Sequence, residues 1–209
     1  HVDVSGYPLT TKFELATKIA EDAFQKLQLN AGILLKTFTP STGAVTLEDI
    51  LGATSGGVSF KATPTFTDFG EDVDNCPVNM LEFKRLSTWD VKMSGNFITV
   101  DTNLAAMLIG AGDIDKSDTT KVTPRNDLKT SDFKDIWWVG DYSNENGETN
   151  GGYIAIHMLN GLSTGGFQIQ SSKDTKGQFA FEFTGHYSLN DQTKVPFEVY
   201  VKAGTAEAG

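Results

Sequence analysis

The stretch that decides the fold is LEFKRLSTWDVKM, residues 81–93, and no Gly or Pro interrupts the surrounding run from 78 to 94. Apolar side chains fall mostly on the odd positions, and charged or polar ones on the even positions. Successive side chains of a strand point to opposite faces, so this alternation predicts a strand with one buried and one solvated face. A helix is disfavoured because the third and fourth positions after Leu81 are Lys84 and Arg85. The predicted polar face consists of Glu82, Lys84, Asp90 and Lys92, and the predicted buried face of Leu81, Phe83, Trp89, Val91 and Met93.

The length of this run is unusual for a strand. At roughly 3.3 Å per residue it reaches about 50 Å, whereas an ordinary strand has about 5–6 residues. Two explanations are open. The strand bends near residues 85–87, where the alternation lapses, or it belongs to a wall that is larger than one subunit.

The composition is that of a globular protein. The chain has 209 residues, of which 39% are hydrophobic and 21% charged, and this length suits one sizeable core or at most two small ones. The formal net charge of −10 argues against a surface that grips nucleic-acid phosphates or an acidic membrane. It is compatible with DNA as a cargo that does not adhere. The single cysteine, Cys76, excludes an intramolecular disulfide.

The remaining segments predict a mainly β protein. A helix is expected over residues 12–27, after a flexible N-terminal segment 1–11, and a second helix over residues 102–112. Residues 39–57 form a long loop rich in Gly, Ser and Thr, and loops of this length are usually functional. Further strands are expected at 135–142, 151–159, 165–172, 178–188 and 196–204. We therefore expect residues 12–209 to form a single domain, a β-sandwich or partial barrel with one or two flanking α-helices.

One motif resembles that of a serine hydrolase. GLSTG, residues 161–165, matches G-x-S-x-G, and Asp174 and His186 follow Ser163 in the order Ser, acid, His. The motif works only on a sharp turn from a strand into a helix. Strands are expected on both sides of it here, so a glycine-rich turn is the better interpretation.

No metal or cofactor site is predicted. His157 and His186 lie in expected strands, without further ligands at metal-binding spacing. Cys76 has acidic neighbours instead of the cationic setting that a reactive thiolate needs. The acidic loops that begin at Asp113 and Asp141 lack the Gly and the Glu of an EF-hand. The sequence therefore predicts a protein that is not an enzyme and that carries no cofactor.

Three segments carry a resemblance to a known family. They are NAGILLKTF (30–38) with the Thr/Gly-rich loop after it, the long segment from MLEFKRLSTW to LIGAGDI (80–114), and the closing PFEVYVKAG (196–204). In pattern and order they resemble the major tail proteins, or tail tube proteins, of long-tailed bacteriophages, over most of residues 28–203.

The resemblance implies a specific function. Such proteins have a β-sandwich with a flanking helix, form hexameric rings, and stack these rings into a hollow tube through which the genome passes. The implied partners are further copies of the chain, a tape-measure protein in the lumen, tail-end proteins, and DNA as a non-specific cargo, with no membrane. The implied location is the virion tail, after assembly in the host cytoplasm.

The resemblance also suggests roles for two sets of residues. On the long strand, the polar side chains would face the lumen, although an ordinary solvated face on a monomer is the alternative; they are Glu82, Lys84, Asp90 and Lys92. Loop 39–57 would contact the next ring, although a merely flexible loop is the alternative. Its candidate contact residues are Thr42, Val45, Leu47, Ile50 and Leu51.

Three other functions stay open at this point. One is the tube protein of a contractile injection machine or a secretion system, which shares the fold. Another is a carbohydrate-binding or adhesin β-sandwich, for which the aromatic side chains between Trp137 and Tyr153 are candidates. The third is an enzyme on a β-sandwich scaffold that acts through Ser163.

Overall fold

The computed structural model describes residues 23–26, 28, 30–143 and 149–205. Within these ranges the protein is mainly β, with a large antiparallel sheet and one α-helix, α1 (Thr102–Ile109). The expected mainly β fold class is thereby confirmed. The strands are β1 (Ile33–Leu35), β2 (Thr54–Asp68), β3 (Lys84–Phe97), β4 (Gly112–Ile114), β5 (Val122–Pro124), β6 (Lys134–Ser143), β7 (Thr149–Ser163), β8 (Phe179–Thr184) and β9 (Phe197–Lys202).

The large sheet runs in the order β1-β6-β7-β8-β3-β2, and β9 also pairs with β7. Strand β7 joins two halves of this sheet, one formed with β1, β6 and β9 and the other with β8, β3 and β2. Its residues from Tyr153 to Met158 pair with β9, whereas Leu162 and Ser163 pair with β8. Between these sections Asn160 has a left-handed φ of 50°, which few side chains other than Asn adopt readily. The chain therefore turns here from one half of the sheet into the other.

The main core lies between these two halves. Strand β3 contributes Val91, Met93 and Phe97, all fully buried, and Trp89 packs against them. The predicted inward orientation of Trp89, Val91 and Met93 is confirmed. The buried side chains from the other elements are Leu34, Leu51, Leu104, Leu108, Ile136, Met158, Phe181 and Phe183.

Helix α1 closes one end of this core. The Asp101 side chain accepts a hydrogen bond from the Leu104 N–H (2.7 Å), as an N-cap residue does. Gly110 follows the helix with a φ of +82°, a conformation that glycine adopts without steric strain. The second predicted helix is therefore confirmed, with Leu104 and Leu108 facing the core.

A second cluster covers the other face of the β1-β6-β7 half. Phe38 packs on Trp137 and Tyr153, with ring centroids 5.6 and 5.3 Å apart respectively. The Tyr153 hydroxyl donates a hydrogen bond to the Pro40 carbonyl. Ile50 also packs against this cluster. The chain that follows β1 is thus held against the sheet at both of its ends.

Several sequence-based boundaries are wrong. The long strand begins at Lys84, because residues Leu81–Phe83 form a 3-10 turn. Residues 165–172 form no strand and make only an isolated bridge from Gln170 to Gln178. The β4–β5 pair lies between the second predicted helix and the strand predicted at 135–142, where no strand is predicted. The predicted helix 12–27 and the flexible segment 1–11 lie outside the described residues, apart from a 3-10 turn at Ala23–Lys26.

Candidate functional site

Strands β2 and β3 project beyond the rest of the sheet. Strand β3 pairs with β8 only from Lys92 to Phe97, but it pairs with β2 as far as Lys84, opposite Asp68. We call residues 63–90 the arm, and residues 69–83 at its end the tip. No third strand of the described chain pairs with the arm. A two-stranded ribbon is only marginally stable by itself in water, so the arm is a candidate for contact with another molecule.

One extra residue changes the faces of the arm. Thr88 lies opposite Thr65 and Leu86 opposite Phe66, so Ser87 is an unpaired bulge residue on β3. After the bulge, Lys84 and Leu86 lie on the same face as Trp89. The Lys84 ammonium accordingly lies over the Phe66 ring, 5.8 Å from its centroid. The expectation that Lys84 shares a face with Asp90 and Lys92 is wrong.

The tip is outside the strand, and its apolar side chains are not buried. Glu82 lies in the 3-10 turn Leu81–Phe83, so it belongs to neither face of β3. Leu81 is 83% exposed, and Phe83 is also exposed. The predicted burial of these two side chains in the core is wrong, because the arm extends past the end of the core.

Hydrogen bonds hold the tip in shape. The Asp68 carboxylate accepts from the N–H groups of Gly70 (2.9 Å) and Asn79 (3.0 Å). These two bonds hold the pKa of Asp68 below its ordinary value, because they favour the ionised form. The Lys84 ammonium donates to Oδ1 of Asn79 (2.8 Å). The tip is therefore a formed structure and not an unstructured connection.

The polar face of the arm is rich in hydroxyl groups. Asp90 lies opposite Thr63, and Lys92, just beyond the arm, lies opposite Lys61. The Lys92 ammonium is 3.7 Å from the Asp90 carboxylate, so these two charges partly offset each other. The hydroxyls of this face belong to Thr63, Thr65, Thr67, Ser87 and Thr88, with Thr67 and Ser87 hydrogen-bonded at 2.7 Å.

The other face and the tip expose large apolar side chains. They all fall between residues 66 and 86, at the end of the arm and in the tip: Phe66, Phe69, Val73, Val78, Leu81, Phe83 and Leu86. Apolar surface gathered in one place on a projecting element is typical of a protein–protein contact. Sequence reasoning missed this surface, because it assigned the apolar side chains of the run to the core.

The predicted contact loop 39–57 is divided by the structure. Thr42, Val45 and Leu47 are exposed, and Leu47 is 85% exposed. Ile50 is half-buried and bridges to Leu35, and Leu51 is 6% exposed within the main core. The loop ends where β2 begins at Thr54. Its first part carries the exposed side chains, whereas Ile50 and Leu51 present little surface to another molecule. The role of the exposed residues stays a prediction.

The hydrolase-like motif is not assembled into a triad. Ser163 is the last residue of β7, and residues 164–178 contain no helix. Its hydroxyl is buried and has no hydrogen-bond partner in the described part of the chain. Nδ1 of His186 contacts the Asn160 carbonyl instead (3.0 Å). The strand-to-helix turn that the motif requires is therefore missing.

The aromatic side chains proposed for carbohydrate binding are not available. Trp137, Tyr142 and Tyr153 are buried. Trp138 is half-buried, and its indole N–H donates to the Ala31 carbonyl (3.1 Å). A sugar stacks on an exposed ring, which these residues do not offer.

His157 is part of a cross-strand network. Its ring stacks on Trp137, with centroids 4.0 Å apart and planes at 6°. Nε2 lies 3.0 Å from the Asp135 carboxylate and Nδ1 lies 3.4 Å from that of Glu198. The Tyr200 hydroxyl donates to Glu198 (2.7 Å), and this bond is the largest of the effects that lower the pKa of Glu198. The network ties β6, β7 and β9 together.

Two further features are absent from the described ranges. No group of three or more His, Cys, Asp or Glu side chains is placed to hold a metal ion there. Nor does that part of the chain contain a helix long and apolar enough to cross a bilayer.

Comparison with known proteins finds matches among solved structures. No family model matches the sequence, and no curated protein matches it. Among solved structures, a chain from the virion of a native gene transfer agent particle matches with a TM-score of 0.40 and 7% identity. The match covers 83% of this chain and 96% of that chain. A likeness of this degree assigns no function.

Proposed function

We propose that this chain is the structural subunit of a phage-like tail tube, in which six copies form a ring and the rings stack around a lumen for the genome. The observation that carries the proposal is the arm. Its two strands extend past the subunit's own core, with backbone edges that no other strand of the described chain pairs.

Pairing with neighbouring copies would complete this part of the sheet. Exposed strand edges invite pairing with other chains, and closing a sheet into a barrel removes its edges. Arms from several copies, placed side by side, would satisfy the unpaired backbone groups of each. This accounts for the part of β3 before Lys92, which pairs only with β2 within the described chain.

The polar face of the arm suits a lumen wall. Thr63, Thr65 and Thr88 present hydroxyls, and Asp90 partly offsets Lys92. The same face also carries Lys61 and Arg85, so it is the net charge of −10 on the whole chain, and not this wall, that would keep a polyanion such as DNA from adhering. We keep Asp90 and Lys92 in the proposed lumen face. Glu82 and Lys84 are removed from it, because one lies off the strand and the other lies on the opposite face.

The proposal carries further consequences for partners and location. The tube would hold a tape-measure protein before ejection, end against tail-end proteins, and lie in the virion tail after assembly in the host cytoplasm. The subunit would act without catalysis and without a cofactor.

Negative-stain electron microscopy of the purified chain at low and high concentration tests the proposal. We expect six-fold rings or tubes. The variant Leu86→Glu should fold, because the side chain is exposed, and should fail to assemble. Leu128→Glu is the matched control, because Leu128 is exposed to nearly the same degree as Leu86 and lies between β5 and β6, outside the arm. Single particles at every concentration, or normal assembly of Leu86→Glu, would contradict the proposal.

A further inference from the structure

A cleft of about 410 Å³ lies between α1, the chain before β2, and the start of β6. Its floor is apolar and consists of Ile50, Leu51, Leu104 and Met107, and its rim carries Lys36, Asp101, Asn103, Lys134 and Asp135. Apolar clefts with a few polar groups at the rim are typical binding sites. Ile50 and Leu51 of the predicted contact loop 39–57 thus form part of the floor of this cleft.

The rim of the cleft carries two carboxylates that are already hydrogen-bonded within the described chain and two ammonium groups that are not. Asp101 already accepts the hydrogen bond of the Leu104 N–H. Asp135 already contacts Nε2 of His157 (3.0 Å) and accepts from the Asn160 N–H (3.0 Å). Lys36 and Lys134, by contrast, form no ion pair within the described residues. Both ammonium groups are thus available to a carboxylate from outside.

The charge that the tip offers is negative. Four of its carboxylates have no ion pair in the described ranges, and they flank the exposed apolar side chains; they are Glu71, Asp72, Asp74 and Glu82. Within the described part of the chain, the tip thus combines apolar surface with free carboxylates, and the cleft combines apolar surface with the free ammonium groups of Lys36 and Lys134.

The two surfaces lie at opposite ends of β3. The tip adjoins Lys84, the first residue of the strand. Phe97, the last residue, shares the core cluster with Leu51 and Leu104 of the cleft floor. A strand of 14 residues spans roughly 45 Å. A single copy therefore cannot bring its own tip to its own cleft.

We propose that the tip of one copy docks in the cleft of a second copy. The occupant of the cleft is the 69–83 segment, with its aliphatic side chains on the apolar floor and its carboxylates against Lys36 and Lys134. A contact between two different surfaces of the same chain is heterologous, and when it runs along one axis it continues without closing. It would therefore stack copies end to end. This inference rests on the proposed function and adds to it the pair of surfaces that joins successive rings.

Zero-length carbodiimide cross-linking tests the contact on the unmodified protein. Equal amounts of unlabelled and ¹⁵N-labelled chain are mixed, cross-linked at low and high concentration, and analysed by mass spectrometry. We expect links between differently labelled copies that join Lys36 or Lys134 to a carboxylate of the tip. Links between copies that never include these pairs would overturn the inference and leave self-assembly intact. No link between copies at any concentration would overturn both proposals.

Charge reversal provides a second test. The variants Lys36→Glu with Lys134→Glu, and Asp72→Lys with Asp74→Lys, should each raise the concentration needed for stacking at least about tenfold, because like charges then face each other. A chain with all four substitutions should stack nearly as the wild type does. Lys173→Glu with Lys176→Glu controls for the change in net charge.

Electron microscopy of these variants separates the two proposals. Single rings without stacks support the docking of tip in cleft. Tubes of normal length from both reversed pairs contradict it, while the rings themselves still support the proposed function. Circular dichroism checks that each variant is folded.

Discussion

Leu86 of β3 lies directly opposite Phe66 of β2, and both side chains are exposed, by 50% and 56% respectively. Cross-strand neighbours of this kind usually cover each other as part of a core. Here the pair lies where the sheet has already left the core, and one residue past the bulge at Ser87. The arm thus has paired apolar side chains, as a buried sheet does, but they are exposed in the subunit and contact with another molecule would bury them.

Trp89 and Thr88 are adjacent on β3 but face opposite ways, so they form a matched pair for testing the faces. Trp89 packs on Phe197, with ring centroids 5.3 Å apart, and Thr88 is exposed. We expect Trp89→Ala to lower the free energy of unfolding by about 3 kcal/mol, and Thr88→Ala to change it by less than about 0.5 kcal/mol. Urea denaturation measures both. Equal effects would mean that the face assignment is wrong, and Trp89→Asp should not give a folded subunit.

Leu51 and Leu47 form a matched pair for testing which part of loop 39–57 stabilises the fold. Leu51 lies in the main core, whereas Leu47 is exposed. Leu51→Ala should lower the free energy of unfolding by about 2–4 kcal/mol, and Leu47→Ala should leave it nearly unchanged. Deletion of residues 41–55 should prevent folding, because it removes Leu51 together with the start of β2. A soluble, cooperatively unfolding deletion variant would contradict this account of the loop.

Arg125 stabilises the chain between β5 and β6 through Asp132. Its Nη2 lies 2.6 Å from the Asp132 carboxylate, whose side chain is only 7% exposed. Burial by itself raises the pKa of Asp132, but the Lys129 N–H and the Arg125 guanidinium together hold it below its ordinary value. Arg125→Met leaves this carboxylate without its cation and should lower the melting temperature. Asp127→Asn, at an exposed carboxylate 3.9 Å from Arg125, should have a much smaller effect. Comparable effects of the two substitutions would argue against a special role of Asp132.

The Tyr200–Glu198 hydrogen bond should make stability depend on pH. The Tyr200 hydroxyl lowers the pKa of Glu198 below its ordinary value of 4.5. A depressed carboxyl pKa contributes stability above pH 4.5, which is lost as the pH falls through the folded-state pKa. Tyr200→Phe should therefore destabilise the protein more at pH 7 than at pH 3. Tyr187→Phe is the control, because the Tyr187 hydroxyl accepts from the Trp89 N–H (3.0 Å) and contacts no carboxylate. Urea unfolding at both pH values gives the comparison, and a Tyr200→Phe effect that does not change with pH would contradict the prediction.

The sequence predicted those elements that depend on interactions between residues close together in the chain. The alternation around Trp89 predicted a strand, and Asp101 with Gly110 predicted the ends of α1, because side-chain period and capping act within a few residues. The lapse near residues 85–87 coincides with the bulge at Ser87. The pattern did not show that this lapse is a bulge, or that the bulge places Lys84 on the same face as Trp89. A bulge is defined by the pairing with the partner strand, which the sequence of one strand does not contain.

The sequence by itself determined that the chain is mainly β, with one long strand of two chemically different faces and an acidic surface. Only the tertiary structure decided where that strand leaves the core, and that Leu51 is buried while Leu81 is exposed. It also decided that the tip and the cleft lie at opposite ends of β3. The physical reason is that burial is not a local property. Whether an apolar side chain is covered depends on strands and loops that are distant in sequence, and their registers are fixed only when the whole sheet has formed.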